Sequence, residues 1–314
     1  MKTDLTAPHF TDEAAALAHY EAIRWPDGVH CLHCGSVNVI RMKGKTTRPG
    51  LHNCRDCRKP FRATMGTIYE KSHIPLHKWL LATHIMCASK KGVSAHQLWR
   101  MLGFGSYKTA WFMAHRIREA MRIGDFAPPM GGGGGAVEVD ETFYGDAIEP
   151  HGANSKYLKN PVLSLVDRDS GEVRSFVVKN LRLEELAPIL WANIAKEARV
   201  MTDEAGQYRT LKADLFPEHE TVNHAKSEYV RGDITTNTVE GFYSIFKRGM
   251  RGIYQKCGSQ HLHRYMAEFD FRYTNRIARG VDDNARTRKA LMGTVGRRLT
   301  YLPLTRRNTE TAEA

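Results

Sequence analysis

Two Cys-x-x-Cys pairs constrain the N-terminal part of this chain more than any other feature of its sequence. The second pair follows the first after 19 residues; the four cysteines are Cys31, Cys34, Cys54 and Cys57. Four thiolates at this separation are the pattern of a tetrahedral structural zinc site, in which each pair holds one side of the ion. We therefore predict a zinc ribbon over residues 15–70 that binds one Zn²⁺ and folds its central residues into a β-hairpin. Buried free thiols and a redox pair are the alternatives.

A pair of predicted helices follows, within residues 73–125. Ser94 is suited to cap the N-terminus of one helix and Gly103 to end it, and a second helix begins near Tyr107. A short helix, a glycine turn and a basic helix form a helix-turn-helix-like candidate for DNA binding. The alternative is an ordinary helical hairpin with an aromatic core. The basic residues that we expect to contact DNA are Lys108, Arg116, Arg118 and Arg122.

Charge is distributed unevenly along the chain. The net charge is +12 overall, with +10 in residues 1–125, −7 in residues 126–240 and +9 in residues 241–314. A solvated surface of mixed charge is the simplest interpretation. The sharper interpretation is that the basic segments bind phosphates, because Lys and Arg supply most of the non-specific affinity for nucleic acids. The acidic middle would then bind cations.

Membrane insertion and secretion are not expected. The sequence has no apolar run of the roughly 20 residues that a membrane helix requires, and its beginning, MKTDLTAPHF, lacks the apolar core of a signal peptide. We therefore expect a cytoplasmic protein without a membrane partner. In that compartment the cysteines are better explained as metal ligands or buried thiols than as disulfides.

The rest of the chain divides into three predicted segments. Residues 126–135, with two prolines and five consecutive glycines, predict a flexible linker. Residues 136–280 alternate between strand and helix patterns, which is typical of an α/β domain, and one of its helices is expected over residues 206–213. Residues 281–314 predict a basic C-terminal tail.

Two predicted strands of the α/β segment contain or end on aspartates, Asp140 and Asp203, and a later helix carries Glu240. Carboxylates so placed can converge on Mg²⁺, which prefers hard oxygen ligands. Two such ions about 3.5–4 Å apart would hold the attacking and leaving oxygens of a phosphoryl displacement. The neighbouring Glu141 and Glu204 are left outside this predicted site.

Helical phase extends the predicted site along one helix face. Asn237, Glu240, Ser244 and Lys247 follow one another by steps of three, four and three. We predict Glu240 as the third metal ligand, Asn237 as a helper, and Lys247 with Arg248 as DNA contacts. The alternative is a capping box, in which Asn237 caps the helix and Glu240 reaches back to it. Charge favours the catalytic role, because two ions carry four positive charges and the two aspartates supply only two negative ones.

Together these motifs resemble a known family. They are the two cysteine pairs, residues 107–119, Val137-Glu-Val-Asp-Glu141, Thr202-Asp-Glu204, Val222-Asn-His224, Thr236-Asn-Thr-Val-Glu-Gly-Phe-Tyr-Ser244 with Lys247-Arg248, and residues 261–273. Over residues 25–276 the chain resembles bacterial insertion-sequence transposases of the DDE superfamily, in the ISXO-like group that carries an N-terminal zinc ribbon.

The resemblance implies an RNase H-like catalytic domain, preceded here by the zinc ribbon and the helix-turn-helix-like domain. It implies DNA strand cleavage and strand transfer with Mg²⁺ or Mn²⁺, with Asp140 and Asp203 as ligands and the third position near Asn237 or Glu240. The expected partners are double-stranded DNA, as transposon ends and target, and further copies of the chain at the bacterial nucleoid. A DNA-binding regulator derived from an inactive transposase and a metal-dependent nuclease without strand transfer are the alternatives.

Overall fold

The computed structural model describes residues 3–124, 127–145, 159–203, 208, 216–222 and 230–300. The chain forms two compact units. The first unit joins the residues up to Met121 with those from Asp282 onward, and the second spans Arg122–Val281. The second unit is thus inserted, in sequence, between the two segments of the first. Most of the helix predicted over residues 206–213, and Glu204, Asn223 and His224 of the quoted motifs, lie outside the described residues.

The first unit begins with two helices and a small sheet. Its elements here are α1 (Pro8–Thr11), α2 (Glu13–Arg24), β1 (Val39–Arg41), β2 (His52–Cys54) and β3 (Pro60–Phe61). The strands are antiparallel in the order β1-β2-β3. The β1–β2 hairpin spans the residues between the cysteine pairs, which confirms the hairpin predicted there.

Three helices complete the N-terminal segment: α3 (Leu76–Ala88), α4 (Ala95–Leu102) and α5 (Tyr107–Met121). Ser94 caps α4 by accepting a hydrogen bond from the Gln97 amide at 3.1 Å. Gly103 ends α4 in the left-handed conformation, with φ 61°, which glycine adopts without steric cost. Both predicted boundaries of α4 are confirmed, and a four-residue turn connects it to α5.

The C-terminal segment is not the predicted tail over its first part. Helix α9 (Asp283–Met292) packs against α3, and Arg286 donates to the Cys87 carbonyl at 2.9 Å. Gly293 lies so close to α5 that a Cβ there would be 2.2 Å from the Ala120 carbonyl oxygen. The prediction was wrong because α9 has few apolar residues, and part of its buried face is made of polar side chains that find partners only in the folded unit. Residues 301–314 lie outside the described residues.

The second unit is built on a mixed sheet. Its elements are β4 (Ala136–Tyr144), β5 (Asn160–Asp167), β6 (Val173–Val177), α6 (Leu183–Asn193), β7 (Arg199–Asp203), β8 (His219–Val222), β9 (Val230–Arg231), β10 (Ile234–Thr235), α7 (Asn237–Gly249), a π turn (Met250–Tyr254), a 3₁₀ turn (Ser259–His261), α8 (Leu262–Thr274) and a 3₁₀ turn (Ile277–Arg279). The five-stranded order is β6-β5-β4-β7-β8, with β4, β5 and β6 antiparallel and β7 parallel to β4 and β8. This is the RNase H-like arrangement, and the predicted α/β class is confirmed.

Helices cover both faces of this sheet. Successive side chains of a strand point to opposite faces, and in β5 both sets are apolar. Leu163 and Leu165 join the core beneath α6, whereas Val162 and Val166 join the core beneath α7 and α8. Strand β5 is therefore buried on both sides, and α7 is fixed by its apolar face beside β4.

The glycine-rich segment at the start of the second unit is packed at Met130 and Gly131, so the flexible linker predicted over residues 126–135 is wrong at these two positions, whereas Gly132, Gly133 and Gly134 are exposed. The Gly131 amide donates to Asp167 Oδ2 at 2.9 Å. Gly131 has φ 73°, and a Cβ there would be 2.6 Å from the Ala198 Cβ. The glycine serves close approach of the backbone to its neighbours rather than flexibility. Phe126 lies outside the described residues.

Candidate active site and metal centre

Strands β4 and β7 bring the two predicted aspartates together. The strands are parallel, and Glu138 pairs with Met201 at the end of their ladder. Continued in the same register, Asp140 lies beside Asp203, the last residue of β7. Beyond Glu138 no further pair between the two strands forms within the described residues, so β4 is open on this side. The aspartates therefore border a gap at the sheet rather than lying in a closed ladder.

Helix α7 supplies the third predicted carboxylate to the same place. A cleft of about 490 Å³ is lined by Asp140, Glu141, Thr142, Asp203, Thr236, Glu240, Tyr243, Ser244 and Lys247. The three predicted metal ligands, Asp140, Asp203 and Glu240, thus line the same cleft as Lys247, a predicted DNA contact. Glu240, Ser244 and Lys247 lie on one face of α7, as their spacing predicts.

The cleft concentrates negative charge. Burial, together with the neighbouring carboxylates of Glu141, Asp203 and Glu240, raises the pKa of Asp140 to about 8, although a hydrogen bond from the Glu141 amide acts in the opposite direction. A divalent cation would relieve this repulsion, and carboxylate oxygens are the ligands that Mg²⁺ and Mn²⁺ prefer. The donor set therefore fits a divalent metal of this kind.

The cleft carboxylates are nevertheless spread out. Among the described residues, the only group of at least three potential ligand residues with ligand atoms all within 4.8 Å of one another is the cysteine cluster. The carboxylates are thus not gathered around a single point. Carboxylates that hold two ions about 3.5–4 Å apart would need to lie farther from one another than the ligands of a single ion.

Buried hydroxyl groups hold the cleft residues in place. The Tyr243 hydroxyl donates to the Asp140 carbonyl at 2.5 Å, and the Tyr208 hydroxyl donates to Glu141 Oε2 at 2.6 Å. The pKa values of both phenols lie well above the ordinary value, because burial and the neighbouring carboxylates disfavour phenolate. Both tyrosines therefore remain hydrogen-bond donors.

Asn237 does not reach the cleft. It is the exposed first residue of α7, and its amide donates to Thr235 Oγ1 at 3.1 Å. The N-cap is Thr236, whose hydroxyl donates to Glu240 Oε1 at 3.2 Å. The capping box considered for Asn237 is therefore wrong, because Asn237 is already the first helical residue and the cap lies one position before it. The structure gives Asn237 no contact with the carboxylates that would make it a helper.

Glu141 and Tyr243 also line the cleft, although neither was a predicted site residue. Glu141 lines the cleft beside Asp140 because β4 loses its neighbour β7 there. Tyr243 lies three residues after Glu240 on the same helix face, so the i, i+3 spacing was a usable signal for it. For Glu141 the only signal was its position next to Asp140 in a run of closely spaced carboxylates.

The basic residues predicted to contact DNA fall into two groups. Lys108 at the start of α5, Arg122 and Arg248 are exposed, and Lys247 is partly exposed in the cleft wall. Arg116 and Arg118 are buried, with 8% and 1% of their surface exposed. Their predicted role as DNA contacts is wrong, because this part of α5 lies inside the first unit.

Arg116 shows how a basic residue is accommodated there. Its Nη2 donates to the Glu70 carbonyl at 3.0 Å, and its guanidinium lies 5.2 Å from the centre of the Trp79 ring. Burial lowers the pKa of Arg116 from its ordinary value. The side chain is a structural element of the helical core.

The four predicted zinc ligands form one cluster. Cys31 Sγ lies 3.6 Å from Cys57 Sγ, and Cys34 Sγ lies 3.6 Å from Cys54 Sγ. Sulfurs about 2.3 Å from a tetrahedral zinc ion are about 3.8 Å apart, so the spacing fits. The His33 amide donates to Cys31 Sγ at 3.3 Å and the Cys57 amide donates to Cys54 Sγ at 3.5 Å, so the backbone orients one sulfur of each pair. The cluster has the donors and geometry of a structural zinc site.

Membrane-spanning segments are absent from the described part of the chain. None of the helices there combines the length and the apolar character needed to cross a bilayer.

Comparison with known proteins finds a family match within each unit. Residues 133–274 match the profile of the ISXO2-like transposase domain, and residues 11–60 match that of the transposase zinc-ribbon domain. A relative described as an uncharacterized protein in transposable element ISH50, from Halobacterium salinarum, is 30% identical over 255 residues. The aligned region covers 76% of this chain and 83% of that protein.

A solved structure, a simian T-cell lymphotropic virus intasome in complex with PP2A regulatory subunit B56 gamma, gives a much weaker match. It covers 62% of this chain and 65% of the matched chain, with 12% identity and a TM-score of 0.29. A similarity of that size supports no conclusion. The two profiles and the ISH50 relative agree with the motifs, the sheet order and the cysteine cluster, and the chain belongs to the ISXO2-like family of insertion-sequence transposases with an N-terminal zinc ribbon.

Proposed function

We propose that this protein binds the ends of its insertion sequence and catalyses metal-dependent cleavage and transfer of DNA strands. The observation that carries the proposal is the convergence of Asp140, Asp203 and Glu240 in one cleft of an RNase H-like sheet. These residues come from two strands and a helix that are far apart in sequence. A purely structural domain has no need to bring so many carboxylates together against their mutual repulsion.

The charged residues of the cleft have proposed tasks. Asp140, Asp203 and Glu240 hold divalent ions, with Glu141 close enough to assist. Bound Mg²⁺ or Mn²⁺ supplies activation of the attacking water or 3′-hydroxyl and stabilisation of the leaving oxygen. Lys247, whose ammonium lies 6.0 Å from the centre of the Tyr243 ring, binds a DNA phosphate beside the reacting one. Arg248 extends this contact along the strand.

DNA ends are bound, in this proposal, by the exposed surface of α4 and by the N-terminus of α5. His96, Gln97 and Arg100 are exposed on α4, and Tyr107 and Lys108 are exposed at the start of α5. In helix-turn-helix proteins the N-terminal residues of the second helix contact base edges. The His96 ring stacks on the Tyr107 ring at 4.2 Å, which joins the two helices on this side.

Because cleavage and joining act on two transposon ends, we propose that the working form contains more than one copy of the chain and operates at the nucleoid in the cytoplasm. The structural zinc holds the ribbon in the shape that contributes to DNA binding. These statements rest on the family membership and on the cysteine cluster.

The direct test is incubation of purified, zinc-loaded protein with duplexes that carry the flanking repeat, in Mg²⁺ or Mn²⁺. Cleaved and joined products on a denaturing gel would support the proposal. Cleavage without joining would favour a nuclease, and specific DNA binding without chemistry would favour a regulator. Omission of the divalent metal, with the zinc site left loaded, is the matched control.

A further inference from the structure

A third carboxylate of β4, Glu138, lies two residues before Asp140 on the same face of the strand. Its side chain is completely buried. Oε2 accepts hydrogen bonds from the Thr238 and Val239 amides at 2.8 and 2.9 Å. Oε1 accepts from the Thr238 hydroxyl at 2.8 Å. Glu138 thus binds the first turn of α7, immediately before Glu240.

Arg168 completes this arrangement from the end of β5. Its Nε donates to Glu138 Oε1 at 2.6 Å. Its Nη2 donates to the Thr235 carbonyl at 3.0 Å, and its Nη1 donates to the Asp233 carbonyl. The buried carboxylate is therefore paired with a cation, as a buried charge must be. The same cation holds the segment that leads into α7.

This contact replaces the ordinary helix cap. The first N–H groups of a helix have no partner within the helix, and the helix dipole favours an anion there. Thr236, the N-cap residue, makes no side-chain hydrogen bond to these amides. The anion comes instead from the neighbouring strand, so the same interaction that caps α7 also fixes its first turn to β4.

We propose that Glu138 is a positioning residue, which sets the place of Glu240 relative to Asp140 by capping α7 from β4. Glu138 does not line the cleft and has no direct part in metal binding. Its effect follows from chain geometry, since Glu240 directly follows the capped Val239 and Asp140 is two residues from Glu138. The inference rests on the proposed function, because it takes Glu240 as a metal ligand.

The test is a Mn²⁺ titration of the zinc-loaded full chain, with free Mn²⁺ followed by electron paramagnetic resonance. Glu138→Gln keeps the size of the side chain but turns an NH₂ group toward N–H donors that need an acceptor. We expect Mn²⁺ binding about 10- to 100-fold weaker than in the wild type, the range found when groups that orient metal ligands are removed. Binding of end DNA should stay unchanged.

Asp270→Ala is the matched control for loss of stability alone. Asp270 is a buried carboxylate of α8, and it accepts hydrogen bonds from the Ser175 amide and hydroxyl at 2.8 and 2.7 Å. It therefore joins a helix to the same sheet, as Glu138 does, but through β6 and outside the cleft lining. Its removal should lower the melting temperature and leave Mn²⁺ affinity at the wild-type value.

Thr238→Val is the milder second variant. It removes only the hydroxyl bond to Glu138 Oε1, so it should fold and should weaken Mn²⁺ binding less than Glu138→Gln does. If Glu138→Gln fails to fold, a folded Thr238→Val protein with wild-type affinity overturns the inference. Weaker Mn²⁺ binding by Thr238→Val supports it.

The outcomes separate this inference from the proposed function. Wild-type Mn²⁺ affinity in folded Glu138→Gln protein overturns the positioning role alone, and so does an equal loss of affinity in Asp270→Ala. Failure of the wild-type protein to bind Mn²⁺ overturns the proposed function and this inference with it. Selective loss in Glu138→Gln, with DNA binding retained, supports both.

Discussion

The cysteine cluster and the carboxylate cleft, the two regions for which we propose metal binding, are assembled in opposite ways. The cysteine cluster of the first unit uses two short local motifs, and the sulfurs converge through one hairpin. The carboxylates of the cleft in the second unit come from β4, β7 and α7, which are distant in sequence. The contact between Glu138 of β4 and Thr238 of α7, for example, joins residues 100 positions apart. A local site can be identified from spacing alone, whereas a site of long-range origin depends on strand register and helix placement.

The largest effect is expected from Cys54→Ser, which tests how far the first unit depends on its metal. Structural zinc supplies about 10–16 kcal/mol of folding free energy in small zinc modules. The variant should lose its zinc and the thermal transition of the ribbon, and the second unit should still unfold at its wild-type temperature. Elemental analysis and calorimetry measure the two effects. A variant that keeps both zinc and the transition would contradict the assignment.

Glu240→Gln tests the second site in the same manner. It keeps side-chain size and removes the charge, so strand cleavage should fall below detection while melting temperature and end-DNA binding stay near wild type. Asn237→Ala is the matched variant on the same helix turn, and because Asn237 lies outside the cleft lining, it should retain cleavage. Near-normal cleavage by Glu240→Gln together with an inactive Asn237→Ala protein that folds and binds DNA would transfer the ligand role to Asn237.

Gly293→Ala tests whether the C-terminal segment is part of the first unit. A Cβ there would be 2.2 Å from the Ala120 carbonyl oxygen, so α9 must shift away from α5. We expect a loss of about 1–3 kcal/mol in unfolding free energy, the usual cost of overpacking. Gly105→Ala is the control, since no atom lies within 4 Å of its added Cβ. Equal melting temperatures for both variants would show that the segment is not held as described.

Asp270→Asn gives a test by pH within the second unit. Burial raises the pKa of Asp270 from its ordinary value of 3.8 to about 8. Between these values the folded protein holds a proton that the unfolded chain has lost, so unfolding free energy falls as pH rises from about 4 to 8. The amide introduced by the substitution cannot titrate, so the variant should gain stability relative to the wild type across this range. Melting temperatures of both proteins at several pH values measure the difference. Asp140, whose pKa is also raised to about 8, is present in both proteins, so its titration contributes equally to both pH profiles. Parallel pH profiles for the two proteins would contradict the expectation.

The smallest effects compare two basic residues of α5. Lys108→Ala should reduce the slope of log affinity for end DNA against log salt concentration by about 1, the value for one lost phosphate contact. It should leave the melting temperature unchanged. Arg118→Ala should lower the melting temperature and leave the salt slope unaltered, because Arg118 is buried. A reversal of these two patterns would restore the interpretation of Arg118 as a DNA contact.

The sequence by itself determined the features that depend on near neighbours. The cysteine spacing predicted both the hairpin and the ligand cluster, and Ser94 and Gly103 marked the ends of α4. The aspartates of β4 and β7 were recognisable because each belongs to a segment with a strand pattern, in which Val137 and Val139 alternate with acidic residues in β4 and Asp203 ends β7. These features follow from local propensities, which act over a few residues regardless of the rest of the fold.

Only the tertiary structure decided which polar residues face inward. Arg116 and Arg118 were predicted to form a basic surface and are buried. Gly131 was predicted to belong to a flexible linker and is packed, and α9 was predicted to be a tail and is part of the first unit. Glu138 was indistinguishable from an ordinary strand carboxylate until α7 was placed against it. The physical reason is that a polar group is buried only where partners from distant parts of the chain contact it. The residue pattern of the segment that contains the polar group carries no information about those partners.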